Sequence, residues 1–244
     1  MSGKFQHAIF TDVGDRPVNE DSVGVFHNGK NNCYMVCDGL GGHGMGDIAS
    51  SLVVSVFEDQ FSKTDDAVNF LGQTFMVGQD VLMGEQKARN AKRKMKTTAV
   101  AVVTDDRNAY IGHVGDSRAY VFSRNKVKLR TLDHSIPQML VLSREIKECE
   151  IRNHPDRNTL LRVMGVEWDE RKYELMLPIP LRKCQAFLLC SDGFWELIEE
   201  KQMCALLKKA KTVEEWLSSM VEIVRANGQG KVMDNYSAIA VWNK

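Results

Sequence analysis

Residues 33 to 46 read Cys33-Tyr-Met-Val-Cys37-Asp38-Gly39-Leu-Gly-Gly-His43-Gly-Met-Gly46, an apolar run that stops at a carboxylate and then enters a glycine stretch. Tyr34 to Cys37 has the unbroken apolar character of a strand buried on both faces. An Asp at the end of such a strand is held rigidly, and a glycine after it lets a ligand reach the backbone. Beyond the glycines, Ile48, Ala49, Leu52, Val53, Val56, Phe57 and Phe61 recur every three to four residues, predicting a helix from about Met45 to Ser62.

Three functions compete for this stretch. Gly39-x-Gly41-x-x-Gly44 fits a dinucleotide fingerprint. However, Glu58, the acid nearest the required distance, falls inside the helix rather than after a second parallel strand. Asp38 would also set a negative charge against a pyrophosphate. A plain structural turn is the second option. The third, a metal-binding Asp, gains weight because the arrangement recurs. Tyr110-Ile-Gly-His-Val-Gly-Asp116 and Phe187-Leu-Leu-Cys-Ser-Asp192 repeat it, and Asp234-Asn235 places the carboxylate before an apolar strand. One such Asp is usually a turn residue or helix cap. Four at strand ends suit oxygen ligands converging on hard cations.

In this order the motifs resemble the metal-dependent Ser/Thr protein phosphatases of the PP2C (PPM) type, most closely the bacterial branch. The likeness rests on Thr11-Asp-Val-Gly, Arg16-Pro-Val-Asn-Glu20-Asp21-Ser22, Cys37-Asp38-Gly-Leu-Gly-Gly-His43 and Thr97-Thr98. It continues through His113-Val-Gly-Asp116-Ser-Arg118, Asp133-His134-Ser135, Asn153-His154-Pro155, Leu189-Cys-Ser-Asp192-Gly193 and Asp234-Asn235, covering essentially the whole chain. The resemblance implies an α+β fold in four layers, α-β-β-α, with two stacked antiparallel sheets covered by helices on both outer faces. It implies two central Mn²⁺ or Mg²⁺ ions held by Asp38, Asp192, Asp234 and the Gly39 carbonyl, with Asp116 helping to bind a third, weaker ion. Glu20 and Asp21 would act on metal-bound waters, and Arg16 would grip the substrate phosphate, which suits a planar guanidinium. A hydroxide between the ions would attack phosphoserine or phosphothreonine in line. The implied partners are phosphoserine and phosphothreonine proteins, and a cognate Ser/Thr kinase or its substrates.

The general acid stays open. Eukaryotic relatives place a His two residues after the first metal Asp, where this chain has Leu40. His43 stands at the bacterial-type position as the candidate; a histidine that only caps or packs, or a metal-bound water in its place, are the alternatives. The loop between Gly14 and Arg16 is one residue shorter than the bacterial pattern. A Cys-based phosphatase needs Arg six residues after its Cys, and none of the six cysteines has that spacing. The same fold as an inactive binding module, a phosphatase of small metabolites and a two-metal nuclease are the rival functions.

Composition narrows the classes. The 244 residues permit a single domain across 1–244, with a flap-like segment within about 135–165 that the resemblance implies, and nothing reads as a linker. The 32 basic and 32 acidic residues cancel, which gives no support to nucleic-acid binding. No apolar run approaches a membrane span and no signal peptide is apparent. Cysteines inside apolar runs, without Cys-x-x-Cys spacing, fit a reduced, cytoplasmic protein.

Further elements are expected along the chain. Phe5 to Asp12 reads as a strand. Val68, Leu71, Phe75 and Leu82 give the buried stripe of a second helix. Thr97–Val103, Ala109–Val114, Arg118–Phe122 and Lys126–Leu132 read as a meander with tight turns. Strands at 172–176 and 184–190 follow. Thr212 with Glu215 marks a helix start, and Ser237 to Trp242 is the last strand.

Overall fold

Strands that are apolar at every position must be covered on both sides, and the chain achieves this with four layers. A computed structural model describes residues 5–40, 44–92, 94–170 and 172–243. The first elements are β1 (Phe5–Asp12), β2 (Asp21–His27), β3 (Asn32–Leu40), α1 (Gly46–Ser62) and α2 (Ala67–Ala88). Then come β4 (Lys96–Thr97), β5 (Ala99–Thr104), β6 (Asn108–Val114), β7 (Arg118–Ser123), β8 (Lys126–Arg130) and α3 (Ile136–Leu142). β9 (Glu174–Leu175), β10 (Ile179–Pro180), β11 (Ala186–Cys190), α4 (Asp192–Trp195), α5 (Glu200–Lys209), α6 (Val213–Gly228) and β12 (Tyr236–Asn243) complete it. One sheet has the order β1-β12-β11-β7-β8; the other runs β10-β6-β5-β3-β2, with β4 on β3 and β9 on β6.

β3 shows how the layers form. Cys33, Met35 and Cys37 face the first helical layer and pack with Ala49, Val53, Phe57, Phe75 and Leu82. Tyr34 and Val36 point the other way, into the seam between sheets, with Val100, Val102, Val121, Leu189 and Ile239. On the far sheet Tyr120, Phe122, Leu188 and Cys190 meet Trp216, Met220 and Val224. Because successive side chains point to opposite faces, a strand in such a position has no solvent face to carry polar residues. Each large apolar side chain fully buried this way contributes about 1.5–3 kcal/mol.

The four-layer expectation holds, and several local ones change. β3 does not stop at Asp38: Gly39 and Leu40 pair with Thr97 and Lys96 of β4, so the strand carries the carboxylate inside its ladder, opposite Asp21. The expected meander is two hairpins in different sheets, because β5–β6 and β7–β8 are joined by a crossover at residues 115–117. Gly115 makes that crossover with φ +100°, and a Cβ there would sit 2.5 Å from Thr98 Cγ2. Val68 is not in the buried stripe, being 59 % exposed. Asp66 caps α2 through the N–H groups of Val68 and Asn69, which sets the helix phase so that Ala67, Phe70 and Leu71 turn inward. The strand expected at 172–176 shrinks to β9, whose ladder covers only Gly112 and His113.

The segment after β8 contains α3 and a 3₁₀ turn at Glu148–Asn153. The bridge Ser135↔Leu160 closes this segment on itself, and Thr97↔Met164 ties it to the body of the fold. The phase of α2 predicts that Leu82→Ala costs about 2–5 kcal/mol, whereas Val68→Ala stays within about 0.5 kcal/mol, both read by urea unfolding.

Candidate metal and phosphate site

The C-terminal ends of β3 and β6 in one sheet meet the end of β11 and the start of β12 in the other. Each of these four places carries one Asp. Asp38 lies in β3, Asp116 in the crossover after β6, Asp192 opens α4 after β11, and Asp234 precedes β12. They line one cavity of about 390 Å³, together with Arg16, Glu20, Gly39, Asn158, Leu160 and Asn235. Asp21 sits behind this wall, buried. His43 lies outside the described residues.

Close-fitting backbone holds the carboxylates in place. The Asp38 carbonyl accepts from Thr97 Oγ1 at 2.9 Å and Thr98 N at 2.8 Å, and its N–H donates to Thr98 Oγ1 at 3.0 Å. The Gly39 N–H donates to Glu20 O at 3.0 Å. A Cβ on Gly39 would lie 2.3 Å from Gly46 O and 2.5 Å from Glu20 O, so only glycine lets β2, β3 and the start of α1 approach here. Asn235 ties down the loop that bears Arg16. Its Oδ1 accepts from Glu20 N at 2.8 Å while Nδ2 donates to Val13 O at 2.8 Å and Val18 O at 3.0 Å. The same loop is clamped a second time by Asp15, which donates N–H to Met233 O at 3.0 Å and accepts from Met233 N at 2.8 Å.

Arg16 is therefore at the site. Its Nε and Nη2 fork onto Asp234 Oδ1 and Oδ2 at 2.9 and 2.8 Å, with both side chains about half exposed. Asp21 Oδ2 accepts from Ser191 Oγ at 2.7 Å, and Ser191 Oγ accepts from Ser237 N at 2.9 Å. The Asp116 carbonyl accepts from Trp195 Nε1 at 3.0 Å. That indole is covered by the Arg118 guanidinium, 3.4 Å above its ring and paired with Asp133 at 2.8 and 2.6 Å. This buried, bidentate pair stiffens the wall behind Asp116.

The electrostatics disfavour leaving these acids alone. Burial first, then repulsion from neighbouring carboxylates, holds Asp38 and Asp116 well above the usual range and raises Asp192. Burial likewise lifts Glu20, and lifts Asp21 to about 7. Asp21 Oδ1 is buried without a hydrogen-bond partner. Carboxylates crowded this way ionise together only when cations offset them. Among the described residues the cavity wall holds no His or Cys, so the donors are all oxygen. The residues fit divalent hard cations.

A second group of donors does not. His113, His134 and Glu174 place ligand atoms within 4.8 Å of one another. Yet His134 Nδ1 accepts from the Gly115 N–H at 3.2 Å, which leaves its proton on Nε2 facing Glu174 at 3.5 Å. His113 donates Nε2–H to Leu132 O at 2.8 Å and stacks on His134 with centroids 4.6 Å apart. These imidazoles brace the crossover.

Sequence reasoning passed over the supports. Ser191 and Ser237 behind Asp21, the clamp made by Asn235, and Asn158 on the cavity wall were not singled out as site residues. The signal for the serines was a hydroxyl beside otherwise apolar strands.

The protein phosphatase 2C family model matches residues 14–236. The chain belongs to that family. It is 34% identical over 246 residues to the serine/threonine phosphatase stp of Listeria monocytogenes, covering 96% of this chain and 95% of the relative. The crystal structure of the serine/threonine phosphatase Stp1 from Staphylococcus aureus superimposes with a TM-score of 0.88 at 28% identity, covering 99% of this chain and 96% of that one. The catalytic domain of the phosphatase PstP in complex with 2 manganese ions shares the fold, with a TM-score of 0.81 at 23% identity over 98% and 97% of the two chains.

The raised carboxyls make a stability prediction. Asp21 titrates near 7 when folded against 3.8 ordinarily, so its contribution is full below 3.8 and is lost as pH rises through about 7. In chelator, the melting temperature should therefore rise as pH falls from about 8 toward 5, and Mn²⁺ should flatten that trend. Asp192→Asn should raise the melting temperature in chelator and abolish the Mn²⁺-induced increase. A chelated protein insensitive to both changes would contradict the crowding described here.

Proposed function

We propose that the chain is a metal-dependent protein serine/threonine phosphatase in which Asp38, Asp192, Asp234 and the Gly39 carbonyl hold two Mn²⁺ or Mg²⁺ ions, with Asp116 contributing to a third. The observation that carries this is the convergence of four Asp from two sheets on one cavity beside Arg16, in a chain of this family. Bound there, such ions acidify water and offset charge on phosphoryl oxygens. Phosphate monoesters, whose spontaneous hydrolysis is among the slowest known, require both.

The protein's own groups supply the rest. Arg16 binds phosphoryl oxygens, and its loop is fixed for that task by Asn235 and Asp15. Glu20, on the cavity wall, and Asp21, buried behind it, would accept hydrogen bonds from waters carried by the ions. Asp21 is aimed by Ser191 for this role. His43 is the general acid that protonates the departing Ser or Thr oxygen. The substrates are phosphoserine and phosphothreonine in proteins, and the natural counterpart is a Ser/Thr kinase sharing those substrates.

The domain spans 1–244, with its flap at the site through Asn158 and Leu160. A cytoplasmic location fits the cysteines, which form no disulfide among the described residues. No helix among those residues is long and apolar enough to cross a membrane.

Phosphate release from a phosphothreonine peptide tests this. Activity with Mn²⁺ should fall by about 10³-fold or more in excess chelator and in Asp192→Asn, a loss of several kcal/mol of stabilisation. Activity indifferent to both would end the proposal. Arg16→Ala should raise KM by about ten- to a hundredfold, the worth of its charge-assisted bonds.

A further inference from the structure

A second cavity, of about 490 Å³, adjoins the first, and the two share Arg16, Asn158, Asp192 and Asp234 in their walls. It extends away from the carboxylates along Arg152, Arg157, Glu196 and Lys231. With Asp192 and Asp234 offset by cations, as the function proposed above requires, four basic side chains face one remaining carboxylate, Glu196.

Two of the four are already committed. Arg16 serves the reacting phosphoryl group. Arg152 is engaged internally, with Nη2 donating to Glu200 at 2.8 Å and Ile198 O at 3.2 Å, and Nε to Trp195 O at 3.1 Å. Arg157 and Lys231 are different. The Arg157 side chain is 40% exposed and meets Glu196 only through Nε, at 3.3 Å, which leaves its terminal nitrogens available to fork onto an oxyanion. Lys231 is exposed, and no carboxylate of the described residues lies within 4.0 Å of its ammonium. Its backbone N–H donates to Gly228 O at 2.9 Å, which fixes where the side chain starts.

A peptide whose phosphoryl group sits in the first cavity must carry its neighbouring residues out over the shared wall, since an extended chain advances about 3.3–3.6 Å per residue. We propose that the second cavity is a subsite for an anionic side chain of the substrate, a carboxylate or a second phosphoryl group, on a residue flanking the one dephosphorylated. Arg157 and Lys231 hold that anion. The subsite selects among phosphoproteins without taking part in the chemistry.

The test compares kcat/KM for three phosphothreonine peptides of equal length, with neutral flanks, with glutamate flanks and with a second phosphothreonine. p-Nitrophenyl phosphate, which has no flanks, reports the central site alone. The protein should favour the anionic peptides by about three- to tenfold at low salt, with the preference shrinking as salt screens it. Lys231→Glu and Arg157→Gln should each reduce that preference toward one while leaving p-nitrophenyl phosphate turnover unchanged. A preference for only one of the two anionic peptides identifies which group the subsite takes. Equal rates on all three peptides, or a preference that survives both substitutions, would overturn the subsite and leave the phosphatase intact. Failure to hydrolyse any peptide would overturn the function itself.

Discussion

Like charges buried together are the constraint on which this molecule turns. Asp38, Asp116 and Asp192 are drawn out of water by the sandwich around them; burial raises all three, and the charge of Asp192 adds to the resistance of Asp38 and Asp116 as that of Asp234 adds to Asp192. A fold that only needed stability would place apolar side chains there. Much of the surrounding structure serves to keep these groups together: a glycine at 39 where three backbone segments touch, a second at 115, and Thr97, Thr98, Ser191 and Asn235 bonded to the backbone or side chains around them.

The two-sheet architecture explains how carboxylates from such distant parts of the chain meet. Each sheet delivers strand ends to the seam, and the seam is where side chains of both inner faces must fit. β3 and β6 bring Asp38 and Asp116 from one side, while β11 and β12 bring Asp192 and Asp234 from the other. Arg16, on the loop between β1 and β2, turns its side chain onto Asp234, just ahead of β12, while its N–H stays bonded to Val13 O.

Layers and ligand candidates were legible in the sequence because both are written in local pattern. Continuous apolar runs at 33–37 and 186–190 report strands covered on two faces, and the Asp after each run stands out by contrast. What stayed hidden depends on partners far away in the chain. That Gly39 and Leu40 continue the strand is decided by Lys96 and Thr97. Whether the turn after β6 closes a hairpin or crosses to the other sheet is decided by which sheet has room for β7, and residues 115–117 alone do not encode that. The exposure of Val68 follows from a cap two residues earlier, which periodicity cannot see. Asn158 reaches the cavity from an irregular segment without any repeating signal.

Thr97 has two allegiances. Its backbone N–H and carbonyl bridge to Met164, at 3.3 and 2.9 Å, where the irregular segment rejoins the sheets. Its hydroxyl holds the carbonyl of Asp38. One residue thus anchors the irregular segment and fastens the first acid of the cavity. Backbone and side chain of a single residue divide two duties, so a change at this position reaches the edge of the irregular segment and the bed of Asp38 together.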